Sequence, residues 1–191
     1  MVWRVMGFVI FASFYAFYLA KIVIQKRQCI KTNQMGMGNK PRKVLLIERV
    51  MSVATVLTVV LGLASILQAP VMDMAGVRIA GILAGTLAVI IFAAATITMK
   101  DSWRVGIPEE KTSLVTKGIY RWSRNPAFVG FDLLYLAMCL MFFNIPLVVV
   151  SVWAAVMLHL QILQEEEHMS KSFGREYEEY KMHTLRYFGR R

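Results

Sequence analysis

Residues 127–163 read AFVGFDLLYLAMCLMFFNIPLVVVSVWAAVMLHLQIL, and this stretch decides the fold. It contains no Lys or Arg and a single acid, Asp132. A helix crossing a bilayer needs about 20 mostly apolar residues, so the stretch is long enough for two spans. Asn144-Ile145-Pro146 interrupts it, because proline cannot sit in a helix interior without losing a backbone hydrogen bond. The reading is a tight helical hairpin, Ala127–Phe143 followed by Leu147–Leu163. Working toward the N-terminus, three further runs reach spanning length: Ile79–Thr98, Val50–Leu67 and Val5–Ile24. The first run is long, lacks a small-residue cleavage site after it and is followed by other spans, so it reads as a retained helix rather than a signal peptide.

The fold class is therefore all-α: a polytopic integral membrane bundle of five transmembrane helices, within one domain covering residues 1–191. The composition agrees. Of 191 residues, 57% are hydrophobic and 18% charged, with 22 Lys+Arg against 12 Asp+Glu, and mean hydropathy is +0.53. Such a chain is too apolar for disorder, and two cysteines, Cys29 and Cys139, make no disulfide scaffold. An excess of cations often signals nucleic acid, but here the cations are sorted by side instead. Eight lie between Lys21 and Arg49, six between Lys100 and Arg124 and six after Leu163, leaving only Arg4 and Arg78 on the other face. The positive-inside rule then places the N-terminus outside and the C-terminus in the cytoplasm. The implied partner is the lipid bilayer, with no nucleic acid and no obligate protein partner. The location is a multi-pass integral membrane protein, in the plasma membrane if the source is prokaryotic.

Spans one to three (residues 1–98) read as scaffold. They are rich in Ala, Val, Ile and Leu, and Gly81, Gly85 and Ala93-Ala94-Ala95 suit close helix packing. Gly36-Met37-Gly38 lacks the strand–turn–helix context of a nucleotide loop and reads as a flexible connector. Residues 99–191 hold the polar chemistry. Thr112-Ser113-Leu114-Val115-Thr116-Lys117-Gly118-Ile119-Tyr120 leads into Arg121-Trp122-Ser123-Arg124-Asn125-Pro126. Asn125 is placed to cap the fourth helix and Pro126 to occupy its first position. A helix N-terminus beside Arg121 and Arg124 favours an anionic group, although these arginines also suit interfacial anchoring. Phe128, Asp132, Tyr135 and Cys139 share a face of the fourth helix. An acid inside a span faces protein or water: Asp132 is a functional carboxylate or the partner of an interfacial Arg or Lys. The fifth helix ends in Gln161-Ile162-Leu163-Gln164-Glu165-Glu166-Glu167-His168. Met169, Phe173 and Tyr177 continue an apolar face, so the helix extends past these acids. Glu165 and Glu166 then either form a solvated collar or point back to the Tyr120–Asn125 loop. His159, His168 and the acids match no zinc-ligand spacing, and neither cysteine sits near a plausible base.

Four elements occur in order: Leu114-Val115-Thr116-Lys117-Gly118-Ile119-Tyr120, Arg124-Asn125-Pro126-Ala127-Phe128-Val129-Gly130, Glu165-Glu166-Glu167-His168-Met169 and Phe173-Gly174-Arg175-Glu176-Tyr177-Glu178-Glu179-Tyr180. Over about residues 112–188 this run resembles the isoprenylcysteine carboxyl methyltransferase family, closely enough to suggest an archaeal or bacterial member. The resemblance implies an S-adenosylmethionine-dependent methyltransferase, with S-adenosylhomocysteine as product and an active site facing the cytoplasm. The implied cofactor-binding residues are Thr112, Ser113, Leu114, Val115, Tyr120, Asn125, Pro126, Ala127, Phe128, Glu165 and Glu166. Arg121, Arg124, Asp132 and Gln161 are the implied substrate-side candidates, and no metal is implied. A carboxylate at Glu165 suits a cofactor carrying an ammonium and a sulfonium.

Two positions depart from the family pattern. Asn125 stands where the family has histidine, and Gln161 stands where an arginine would neutralise a prenylcysteine carboxylate. The implied reaction is in-line displacement at the cofactor methyl, with the protein positioning the reactants and excluding water. The implied acceptor is lipophilic and enters sideways from the bilayer, most simply an isoprenylcysteine carboxylate. Related enzymes share the same C-terminal frame: phospholipid N-methyltransferases, thiol S-methyltransferases and, more distantly, NADPH-dependent membrane reductases.

Overall fold

The computed structural model describes residues 1–68, 74–108 and 112–190. Lys111 and Arg191, two of the sorted cations, lie outside the described residues. The regular structure is helical: α1 (Val2–Arg27), α2 (Arg42–Leu67), α3 (Ala75–Met99), α4 (Pro126–Met141), α5 (Ile145–Phe173) and α6 (Arg175–His183), with 3-10 turns at Lys100–Ser102 and Gly118–Arg121. Among the described residues there is no strand, only isolated bridges between Asn33 and Val105 and between Thr184 and Arg190. Four helices are long and apolar enough to cross a membrane: α1, α2, α3 with its following turn, and α5. The fourth expected span forms the shorter apolar helix α4, of 16 residues.

Apolar windows locate each span but not the ends of its helix. α2 starts eight residues before Val50, directly after Pro41, and carries Glu48 into the bundle. α5 continues ten residues beyond Leu163, through Gln, Glu and Met, which are good helix formers. It stops at Gly174, whose positive φ of +53° glycine adopts without Cβ strain. Tyr177 therefore belongs to the separate helix α6, where it is buried.

α3 packs chiefly against α4 and also against α1, while α2 packs against α5. α4 and α5 are joined by Phe142, Phe143 and Asn144, yet each finds its main neighbour elsewhere. Asn144 fixes that corner. Its Oδ1 accepts from the Leu147 amide at 2.9 Å, and its Nδ2 donates to Ser65 Oγ at 2.8 Å. Gly81 and Gly85 give α3 its close approaches: a Cβ at Gly81 would lie 2.6 Å from Met141 Cγ and 3.0 Å from the Ala137 carbonyl, and one at Gly85 would lie 2.7 Å from Ile10 Cγ2. Gly81→Val is accordingly expected to destabilise the bundle by about 1–3 kcal/mol through overpacking. Gly76→Ala, with nothing within 4 Å of the added Cβ, should leave the melting temperature in detergent unchanged or slightly raised.

Two apolar clusters make the core. Ile10, Phe11, Phe14, Phe92, Leu134 and Met138 join α1, α3 and α4, and Met51, Ala54, Tyr135, Ala154 and Leu158 join α2, α4 and α5. Phe14 and Phe92 pack with their rings tilted by 32° at 4.4 Å between centroids, and Phe131 meets Phe92 edge-on at 5.3 Å. The site lies between these clusters.

Candidate functional site

Glu48 builds one wall. It is fully buried, and its carboxylate accepts from Lys40 Nζ at 2.9 Å, the Gly36 amide at 2.7 Å and the Ile107 amide at 2.9 Å. A buried charge is tolerated when paired and hydrogen-bonded in this way. The Gly36 loop is thus held in place, contrary to its reading as a flexible connector, and Gly36 has φ +64°. Gln34 and Val105 complete the join, the Gln34 amide donating to Val105 O at 2.9 Å and the Val105 amide to Thr32 O at 3.0 Å. Buried Gln25 ties the end of α1 to the same segment through Nε2 to Trp103 O at 3.0 Å. Glu48→Ala would leave the Gly36 and Ile107 amides unpaired and Lys40 with only the Gln34 carbonyl, at 2.7 Å, for its buried charge. We expect it to cost about 3–5 kcal/mol, read as a lower unfolding midpoint.

Between this wall and α4 and α5 lies a cavity of about 290 Å³. Aromatic rings dominate its lining: Tyr15, Tyr18, Phe92, Trp103, Phe128 and Phe131. Ser52, Thr55, Asn33 and Arg104 add polar groups, and among the described residues Glu165 is the one carboxylate in the lining. Gln161 Nε2 donates to Glu165 Oε1 at 3.0 Å, while Gln161 Oε1 is buried without a hydrogen-bond partner. Residues of α1 and α2, read from sequence as scaffold, thus supply a large part of the wall.

Adjacent acids do different things here because successive helix residues point about 100° apart. Glu165 faces the cavity. Glu166 faces the other way and accepts five hydrogen bonds: Arg124 Nε and Nη2 at 3.2 and 2.9 Å, Asn125 Nδ2 at 3.0 Å, and Arg186 Nε and Nη2 at 3.1 and 3.0 Å. Arg124 also donates to Thr184 O at 2.7 Å, and Asn125 Nδ2 to Arg186 O at 3.2 Å. The pairing holds Arg186 charged, its pKa pushed further up by Glu166. This cluster clamps the start of α4, the end of α5 and the C-terminal segment together. Asn125 occupies the N-cap position of α4, but its side chain serves Glu166 and makes no cap bond. Instead Ser123 Oγ accepts from the Asn125 amide at 3.0 Å.

Of the residues singled out from sequence, Ala127, Phe128 and Glu165 line the cavity. Gln161 adjoins it through Glu165, and Pro126 is buried at the start of α4. Tyr120 is buried behind it; its carbonyl accepts from Tyr180 Oη at 2.6 Å, and burial, with Tyr180 and Glu165 adding, pushes its phenol up so that it stays protonated. Thr112, Ser113, Leu114 and Val115 lie outside the lining, with Ser113 Oγ 2.6 Å from Ser102 Oγ at the end of α3. Arg121 is on the surface. Asp132 is not part of the lining, and its Oδ1 is buried without a hydrogen-bond partner. Tyr15, Tyr18, Asn33, Trp103 and Arg104 were missed. Their sequence signal was weak, because tyrosines in an apolar run read as interfacial belt residues.

Among the described residues, four long apolar helices line a partly open cavity, an arrangement that fits an integral membrane protein. The chain belongs to the phospholipid methyltransferase family, whose model matches residues 77–176. It is therefore a membrane methyltransferase, and the reductase reading has no support in that match. No curated protein matches the chain at a significant level.

Proposed function

We propose that the protein transfers a methyl group from S-adenosylmethionine to a membrane-lipid acceptor, with an amine headgroup as the preferred nucleophile. The observation that carries this is the cavity itself: aromatic faces beside the Glu165 carboxylate form a site for positive charge. The fit to the methyl donor rests on that donor set. An ammonium and a sulfonium match the Glu165 carboxylate, the aromatic rings and the orphaned Gln161 Oε1. S-adenosylmethionine, when bound, supplies an electrophilic methyl group that the acceptor takes by in-line displacement.

The chain's own residues then have distinct tasks. Glu165, held by Gln161, binds the cationic end of the donor. Ala127 and Phe128 pack beside it, and Trp103, Phe92 and Phe131 exclude water. Thr55, Val56 and Val59 of α2 carry the cavity along the apolar helices, where a lipid chain enters sideways from the bilayer. Glu166, Arg124 and Asn125 are positioning residues, since their side chains are engaged with one another. In this reading α4 also spans, completing five, the N-terminus lies outside, and the site opens at the cytoplasmic face, within a single domain of residues 1–191.

A second reading is isoprenylcysteine carboxyl O-methylation, for which Arg104, whose Nη1 donates to the Asp101 and Trp103 carbonyls, places positive charge in the same lining. Isothermal titration of the detergent-solubilised protein tests the shared premise. Saturable heat with S-adenosylmethionine and none with NADPH is expected; no heat with the methyl donor would remove the proposal.

A further inference from the structure

The C-terminal segment 184–190 lies as a strap across residues 122–124. Arg124 donates its amide to Leu185 O at 3.0 Å, Gly189 donates to Trp122 O at 2.6 Å, and Leu185 donates to Gly189 O at 3.0 Å. This fixed backbone presents a stacked pair, Trp122 and Phe188, with ring centroids 6.4 Å apart and planes 16° from parallel. Arg190 places its guanidinium 5.9 Å from the Trp122 centroid. The pair is not core: Trp122 is 50% exposed and Phe188 58%. Arg190 is exposed against it, and Lys117 and Arg121 are exposed at the ends of the turn that leads into Trp122. The nearby acids Glu178 and Glu179 are paired within α6, with Lys181 and Arg175 respectively.

Position says what covers this patch. α4, at 16 residues, rises only about 24 Å, against a hydrocarbon core of about 30 Å. The strap and the Gly118–Arg121 turn sit at the N-terminal end of α4, which the five-span reading puts at the cytoplasmic face, so the aromatic pair lies at headgroup depth, where Trp and Arg are favoured. We infer that Trp122, Phe188, Arg190 and Lys117 form a binding surface for anionic phospholipid headgroups. The inference rests on the spanning role of α4 proposed above, but not on any methyl transfer. It has a consequence for the site: the strap carries Arg186, which holds Glu166, so headgroup binding steadies the clamp behind Glu165.

Amide hydrogen exchange in nanodiscs, with no methyl donor present, tests this surface separately from the enzyme reading. Exchange of peptides covering 184–190 is expected to slow when phosphatidylglycerol is added to phosphatidylcholine, by about fivefold for each cation engaged. Arg190→Gln with Lys117→Gln should lose that slowing, while exchange in α2 stays at the wild-type rate and reports an intact fold. Equal exchange in both bilayers, or slowing retained in the double variant, would overturn the inference. So would equal slowing by soluble glycerol phosphate, because the patch would then read phosphate and not a lipid surface. Protection without methyl transfer would leave the surface standing and remove only the enzyme reading.

Discussion

Alanine at Glu166 is expected to destabilise the protein by about 3–5 kcal/mol, the usual cost of removing one partner from a buried ion pair. The side chains of Glu166 and Arg124 are 8% and 9% exposed, and Arg186, at 38%, is partly screened by solvent. Without the carboxylate, Arg124 and Asn125 lose their shared acceptor and Arg186 loses both of its bonds to α5. The start of α4 and the strap then separate from α5. A lower unfolding midpoint in mixed micelles, with early loss of exchange protection in residues 184–190, is the expected result. Glu166→Gln keeps one acceptor oxygen and should fall between wild type and alanine. A wild-type midpoint in the alanine variant would show that the clamp contributes nothing.

Glu165→Gln, one residue away, is expected to do the opposite. Gln161 Nε2 can still donate to the new amide oxygen, so the fold should hold and the melting temperature should not fall. What is lost is the negative charge in the cavity. A hydrogen bond to a charged group contributes about 1.5–3 kcal/mol, so affinity for S-adenosylmethionine should drop roughly 10- to 100-fold. Titration calorimetry on the two variants separates the roles: Glu165→Gln loses affinity and keeps stability, Glu166→Ala loses stability first. Unchanged affinity in Glu165→Gln would remove that residue from the donor site.

Both acids were drawn from the same motif, and their divergence shows where sequence reading reaches its end. Apolar runs are legible because lipid demands about 20 apolar residues: each of the five runs falls on a helix, four of them long enough to cross a membrane and α4 shorter, at 16 residues. The charged ends of α2 and α5 were not legible, since charge ends a span without ending a helix. The site was legible where it depends on local spacing: Ala127, Phe128 and Glu165 were named and line the cavity, with Gln161 one turn before Glu165. It was not legible where it depends on distant segments meeting. The join of 32–34 to Val105 and the burial of Glu48 arise from packing between parts of the chain about 60 to 75 residues apart. The aromatic wall from α1 followed from the same packing. Thr112–Val115 matched a motif, but the backbone carries them past the end of α3, away from the lining.

The central claim is methyl transfer to a lipid, and transfer of labelled methyl from S-adenosylmethionine measures it most directly. Purified protein in nanodiscs would be supplied with aminophospholipid, prenylated cysteine or small thiol, and the label counted in product. The account predicts label in a lipid acceptor, greatest for the amine headgroup and strongly reduced in Glu165→Gln. Label in none of the acceptors from folded protein, or equal transfer by Glu165→Gln, would contradict it.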